Sequence, residues 1–261
     1  MNNILQQIVA TKQKEVQALR SSFIMESART ERKSISLVEQ LTVPGSTGII
    51  AEFKRKSPSK GWFKPAEQSV LPIIKAYEQY GAAGASILTD EAYFGGSAAD
   101  MLKARSISSL PLLRKDFIID DIQLHQAKAM GADVVLLIAA ILTPKQTRTL
   151  SATATSLGLE VLLEIHEEKE LDHICDSINL VGVNNRDLTT FATNIDTSFS
   201  LIDQLPADKI AISESGISDV TSIKALRAAG YDGFLIGENF MKQADTVSAF
   251  KHFTDQLKAI V

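Results

Sequence analysis

The chain has 261 residues and a mass of 28.4 kDa, enough for one large α/β unit or two small ones. Hydrophobic residues make up 45% and charged residues 22%, with no low-complexity tract, which excludes a disordered chain. A net charge of −4 and a pI near 5.6 argue against a general nucleic-acid or acidic-membrane surface, while leaving room for a local basic pocket for a small phosphate.

From the amino terminus, Met1 to Gln7 lacks a charged segment followed by a long apolar run, so a cytoplasmic protein is expected. A first helix is expected at Ile4–Arg20, with Ile4, Leu5, Ile8, Val16 and Leu19 on one broad face, followed by the more polar Ser21–Lys33. Whether this extension, residues 1–47, caps the bottom of the following unit or covers its top is not given by periodicity. From Gly48 onward, short β-branched or leucine-rich runs recur at Gly48–Lys54, Ala85–Thr89, Pro111–Lys115, Asp133–Ile138, Glu160–Ile165, Leu180–Asn184, Lys209–Ser213 and Gly233–Ile236. Amphipathic stretches alternate with them at Glu67–Tyr80, Ser97–Ser106, Asp121–Met130, Pro144–Leu157, Glu167–Cys175, Thr197–Gln204, Val220–Ala229 and Thr246–Ile260. Thr143-Pro144 reads as an N-cap with proline at the first helical position, and Gly81, Gly131, Gly158 and Gly230 stand just past helix ends. The longest apolar run, Val134 to Leu142, falls short of the roughly 20 residues of a spanning helix and reads as a buried strand. A lone cysteine, Cys175, cannot form an intrachain disulfide.

Eight βα units without an evident linker favour a (β/α)8 TIM barrel over two doubly wound domains: a single domain, 1–261, with the N-terminal helical extension at 1–47 and the barrel proper at 48–261. In such a barrel the reactive groups come from the C-terminal ends of the strands. Strand one ends with Glu52 and Lys54, which share a face because residues i and i+2 do, whereas Ala51, Phe53 and Arg55 point the other way. Burying this acid and amine costs several kcal/mol unless other groups or a ligand complete them. A structural ion pair and a catalytic pair both fit. Strand three ends with Lys115, strand five with Glu164, strand six runs into Asn184 and Arg186, and strand seven into Glu214. Glycine turns at Ser215-Gly216 and Gly237-Glu238 fit a phosphate cradle, since glycine lets backbone N–H groups approach an anion. The segment 56–63, with its glycine and lysines, is expected to act as a lid.

Taken in order, Glu52 through Gly61, Leu88-Thr89-Asp90 with Tyr93 through Ser97, Leu113 through Ile118, Leu163-Glu164-Ile165, Gly182 through Leu188, Glu214 through Ile217 and Leu235-Ile236-Gly237 resemble the indole-3-glycerol-phosphate synthase family over most of the chain. The resemblance implies conversion of 1-(2-carboxyphenylamino)-1-deoxyribulose 5-phosphate to indole-3-glycerol phosphate, carbon dioxide and water in tryptophan biosynthesis, with no metal and no organic cofactor. It implies Lys115 as the principal general acid, Glu164 as the catalytic acid/base and Lys54 as a second acid or electrostatic group. Glu52, Asn184 and Glu214 would orient the amines and substrate hydroxyls. Arg186 or Ser57 would meet the substrate carboxylate. Phe94, Phe117, Leu137 and Leu188 would pack on the anthranilate ring, and Ser215, Gly216, Gly237 and Glu238 would hold the phosphate. Cationic neighbours among Lys54, Lys115 and Arg186 are expected to lower a lysine pKa. Two departures from the family pattern stand out. Asp90 replaces a common glutamate and receives no catalytic role; Glu238 stands where some members have serine, so its backbone N–H would bind phosphate with the side chain turned away. The implied partner is the small phosphosugar-anthranilate substrate, with neither nucleic acid nor membrane, in a monomer or weak homo-oligomer open to contact with other tryptophan-pathway enzymes. With Val261 as the last residue, a single activity is expected.

Overall fold

Apolar side chains on both faces of a strand call for a sheet covered on both sides, and the eight runs above meet that demand by closing on themselves. The computed structural model describes residues 4–24, 32–188 and 190–259. Its strands are β1 (Ile49–Phe53), β2 (Gly84–Leu88), β3 (Leu112–Lys115), β4 (Val134–Ile138), β5 (Glu160–Ile165), β6 (Leu180–Asn184), β7 (Ile210–Glu214) and β8 (Gly233–Ile236). All pair in parallel with their sequence neighbours, and β8 returns to β1 to complete a (β/α)8 barrel.

Alternation along each strand divides the core in two. Ile50, Leu113, Leu136, Leu162, Leu180, Ile212 and Leu235 fill the barrel interior. Their neighbours, among them Ile49, Ala51, Phe53, Leu112, Val135, Leu137, Val161 and Val181, pack outward against the helices. Those helices include Leu71–Tyr80, Ala98–Ile107, Asp121–Ala129, Pro144–Ser156, Val220–Ala229 and Thr246–Lys258. Pro144 stands in the first turn behind a reciprocal Thr143/Gln146 capping box. The helix expected at Glu67–Tyr80 starts only at Leu71, and two further expected helices are partly 3-10. The stretch 167–175 holds only a 3-10 turn, Glu168–His173, because the Glu170 carboxylate folds back to accept the His166 backbone N–H at 2.6 Å. The stretch 197–204 is a helix, Asp196–Leu201, that tightens into a 3-10 turn at Ile202–Gln204.

The N-terminal extension serves both ends of the barrel. Its helix, Ile4–Ser22, lies across the C-terminal mouth, where Ile4, Leu5 and Ile8 line the cavity. A short helix that periodicity missed, Leu37–Thr42, is capped by Ser36 and plugs the opposite end. Leu37 and Leu41 fill the space that side chains at Gly84 and Gly233, the first residues of β2 and β8, would need. Residues 25–31, within the polar stretch Ser21–Lys33, lie outside the described ones.

One buried cation fastens the first helix to the mouth. Lys12 is 2% exposed and its Nζ lies 2.9 Å from both Asp90 and Asp116, at the ends of β2 and β3. Burial would lower its pKa, but Asp116 and Asp90 outweigh that and hold it above the ordinary lysine value. Asp90 is thereby structural: it also caps the helix Glu91–Phe94 by accepting the Tyr93 N–H. Lys12→Met leaves two buried carboxylates short of a partner and is expected to lower unfolding free energy by about 3 kcal/mol in urea titration. A loss below about 1 kcal/mol would mean that apolar packing alone seats the helix.

Candidate active site

Strand parity brings the charged residues to one place. Lys115 follows Leu113, Glu164 follows Leu162 and Glu214 follows Ile212 on the inward face, one layer above the apolar interior. Together with Glu52, Lys54 and Asn184 they line a cavity of about 340 Å³ at the C-terminal mouth. Lys115 stands at its centre, with Nζ 2.8 Å from Glu164 Oε2 and 2.7 Å from Glu214 Oε2. Lys54 donates to Glu52 Oε1 at 2.6 Å. Asn184 Oδ1 accepts the Arg186 backbone N–H at 3.0 Å, which turns the chain after β6 back over the mouth.

The electrostatics differ from the expectation of a lysine lowered by neighbouring cations. Burial acts to lower the Lys115 pKa, but Glu164, Glu214 and Glu52 dominate and raise it above the ordinary lysine value. The amine is therefore a firmly held ammonium, because carboxylates rather than cations are its nearest charged neighbours. The two carboxylates on it are driven apart. Burial would raise Glu164, yet Lys115 and then His166 hold it well below the carboxylate range. Burial pushes Glu214 up to about 7, with Glu164 adding to the rise and Lys115 opposing it. Two acids on one amine with divergent proton affinities form a unit able to hold a charge and exchange a proton near neutrality.

Gly182 gives that unit its room. A Cβ at Gly182 would overlap Glu214 Oε1, so any side chain at this β6 position, beside Glu164, would have to displace the Glu214 carboxylate. Gly182→Ala is expected to push the Glu214 carboxylate off Lys115 and lower kcat at least about tenfold, with about 1–3 kcal/mol of overpacking cost in denaturant unfolding. Wild-type kcat in the folded variant would show that the Lys115–Glu214 contact is dispensable.

The other expected site residues distribute as follows. Ser57, Phe94, Phe117, Arg186 and Leu188 all line the cavity, and the Phe94 and Phe117 rings lie 5.9 Å apart, walling one side. Leu137 does not join them. It packs outward among the helices, one residue out of phase, and the β4 side chains facing the cavity are Leu136 and Ile138. Ser215 and Gly216 are left-handed, at φ 66° and 76°, and border the cavity beside Gly237 and Glu238. For serine that conformation costs about 1–2 kcal/mol. Asn185 supports it by donating to the Ser215 carbonyl at 3.0 Å and to Ser213 Oγ at 3.1 Å. The Glu238 side chain is not turned away: it reaches across the mouth to Arg186, 2.9 Å between Nη2 and Oε2. Desolvating the guanidinium calls for a counter-ion, and Glu238 is the carboxylate within reach. The segment 56–63 is a small hairpin, Lys56–Ser57 against Gly61–Trp62, whose tip residues Pro58 and Ser59 reach the cavity. Missed from sequence were Ile4, Leu5 and Ile8 as cavity wall, Asn185 as support of the Ser215 turn, and His166 behind Glu164. The Asn184-Asn185 pair and the apolar face of the first helix carried local signals; nothing near His166 did.

A closed barrel with paired ammonium and carboxylate groups in its mouth defines a (β/α)8-barrel enzyme equipped for acid–base chemistry. Barrels of this architecture are found among solved structures: tryptophan synthase subunit alpha from Legionella pneumophila superposes with a TM-score of 0.62 at 14% identity, covering 85% of this chain and 95% of that one. A 3-hexulose-6-phosphate synthase superposes with a TM-score of 0.63 at 12% identity, covering 82% and 99%. These likenesses concern the fold. The model of the family described as indole-3-glycerol phosphate synthase matches residues 5–253. An indole-3-glycerol phosphate synthase of Bacteroides thetaiotaomicron is 47% identical over all of both chains. One of Burkholderia lata is 42% identical over 93% of this chain and 95% of its own. The chain belongs to the indole-3-glycerol phosphate synthase family, carboxy-lyases of tryptophan biosynthesis that act on a small phosphosugar. No helix among the described residues is long and apolar enough to cross a membrane.

Proposed function

We propose that the family's reaction, closure of the indole pyrrole ring in 1-(2-carboxyphenylamino)-1-deoxyribulose 5-phosphate with loss of carbon dioxide and water, runs in this chain through Lys115 and Glu164. The observation that carries the assignment is the Lys115 ammonium held by Glu164 and Glu214 at the centre of the mouth. Attack of the aromatic carbon on the ketone develops negative charge on its oxygen, and a fixed ammonium supplies the proton. Departure of carbon dioxide leaves its electron pair in the ring. The new hydroxyl then leaves as water, taking a proton from an acid while a base removes one from the intermediate. Glu164 serves as that acid/base, and Lys54, paired with Glu52, provides a second positive charge or acid. Asn184 and Glu214 orient the amines and the substrate hydroxyls.

Phe94, Phe117 and Leu188 offer the anthranilate ring an apolar wall, which favours loss of a carboxylate that water would stabilise. Ser57 or Arg186 receives the carboxylate; for Arg186 this means exchanging Glu238 for the substrate, a bidentate partner suited to a guanidinium. The turns at Ser215-Gly216 and Gly237-Glu238 hold the phosphate through backbone N–H groups. We read residues 1–261 as one functional unit, cytoplasmic and working as a monomer or weak homo-oligomer, open to contact with other enzymes of the pathway. Sedimentation giving a stable large assembly would overturn the oligomeric reading.

The test of the reaction is to add the phosphosugar-anthranilate substrate to purified protein and follow indole fluorescence. Steady turnover is the expected result. Folded protein that binds the substrate without producing fluorescence would overturn the assignment.

A further inference from the structure

His166 stands two residues beyond Glu164, on the same face of the chain as it leaves β5, and only 13% of its side chain is exposed. Nε2 lies 3.4 Å from Glu164 Oε1, and Nδ1 lies 3.5 Å from Glu170 Oε2. That second oxygen also accepts the His166 backbone N–H at 2.6 Å, whereas neither ring nitrogen has a hydrogen-bond partner among the described residues, so the carboxylates on either side act on the ring through charge. The imidazole does not line the substrate cavity. It sits behind Glu164, whose two oxygens are thereby divided: Oε2 takes the Lys115 ammonium in front and Oε1 faces His166.

The charges around the ring have one sign. Glu164 on its own strand, Glu170 on the following 3-10 turn and Glu214 on β7 all act on it to favour its protonated form. The ammonium bound by two of these carboxylates, Lys115, is already shared between Glu164 and Glu214. Counting the buried cluster, Glu52, Glu164 and Glu214 stand against Lys54 and Lys115, an excess of one carboxylate before Glu170 is added. Burial opposes a charged imidazole, yet the three carboxylates overcome it and the His166 pKa is raised.

We propose that His166 is a positioning residue that stays an imidazolium, clamped between Glu164 and Glu170, and so keeps Glu164 ionised with its carboxylate plane fixed toward Lys115. This rests on the reading of Glu164 as the acid/base. Removing the cation leaves the carboxylates of the Lys115 unit with less positive charge nearby, so their proton affinities rise. Their uptake of a proton then begins at higher pH.

The experiment has two arms. In the first, His166→Gln is expected to move the acidic limb of the kcat profile upward by about one pH unit, with KM at the plateau within about twofold of wild type. In the second, the imidazole of His166, identified among the four histidines by its absence from the variant, is followed by nitrogen-15 NMR. Its protonated form is expected to persist through pH 7 in wild type and to be lost at lower pH in Glu170→Gln. An unmoved acidic limb in folded His166→Gln, or a neutral imidazole at pH 7, overturns the proposal. If His166→Gln does not fold, replacing His125, His173 and His252 one at a time assigns the remaining signal to His166, and Glu170→Gln against wild type still decides through the NMR titration. Failure of the underlying reading looks different: Glu164→Gln would keep wild-type turnover while the imidazolium signal stayed in place.

Discussion

Replacing Lys115 with methionine is expected to lower kcat by about three orders of magnitude while KM changes by no more than about threefold. Methionine keeps the length and apolar stem of lysine and removes the ammonium proposed to protonate the ketone oxygen during ring closure. Lys115 is locked between Glu164 and Glu214 at 2.8 and 2.7 Å, so no other cation replaces it without rebuilding the cavity. Lys54 is itself engaged by Glu52, at 2.6 Å. In the proposed binding mode the phosphate and ring are held elsewhere, at the glycine turns and the Phe94 and Phe117 wall, so affinity is expected to survive. Two buried carboxylates lose their shared partner, and protonation of one of them relieves the excess charge. A melting curve alongside the kinetics therefore separates lost chemistry from lost fold. Turnover within about tenfold of wild type in the folded variant would remove Lys115 from the acid role.

Glu164→Gln carries the second largest effect, an expected fall in kcat of about two to four orders of magnitude with KM little changed. The amide keeps the shape and leaves an oxygen to accept from Lys115, but it cannot take up or return a proton in this range. Comparison with Glu214→Gln sharpens the assignment. Burial raises the Glu214 pKa, whereas Lys115 and His166 hold Glu164 well below the carboxylate range, so a neutral amide costs less at Glu214 than at Glu164. Its loss is expected to be the milder of the two. Single-turnover kinetics of both variants at pH 7 would check the order, and the reverse order would make Glu214 the acid/base.

These two residues were legible because strand ends in a parallel barrel converge by construction. Once the runs Pro111–Lys115 and Glu160–Ile165 are read as barrel strands, the polar residue closing each one has to lie in the mouth. The structure keeps the cores of these runs and trims their ends: Pro111 falls outside β3, whereas Glu160–Ile165 is unchanged. Phase was the weak point. Leu137 and Leu136 are interchangeable by composition, and only the register of β4 against β5, where Ile138 pairs with Glu164, decides that the even-numbered residues look inward.

What the sequence alone determined was local or periodic: eight apolar runs, the helices between them with their caps, and an ordered set of charged strand ends whose motifs identify the family. Such features repeat with fixed spacing and need no knowledge of distant partners. Contacts between residues far apart in the chain belonged to the tertiary structure. Lys12 meets Asp90 and Asp116, far along the chain from it, and Arg186 turns to Glu238 rather than standing open. The Lys115 ammonium is raised rather than lowered for the same reason: a pKa follows from which charges lie within a few ångströms after folding, and here the barrel brings Glu164 and Glu214 to the amine while Lys54 keeps to Glu52.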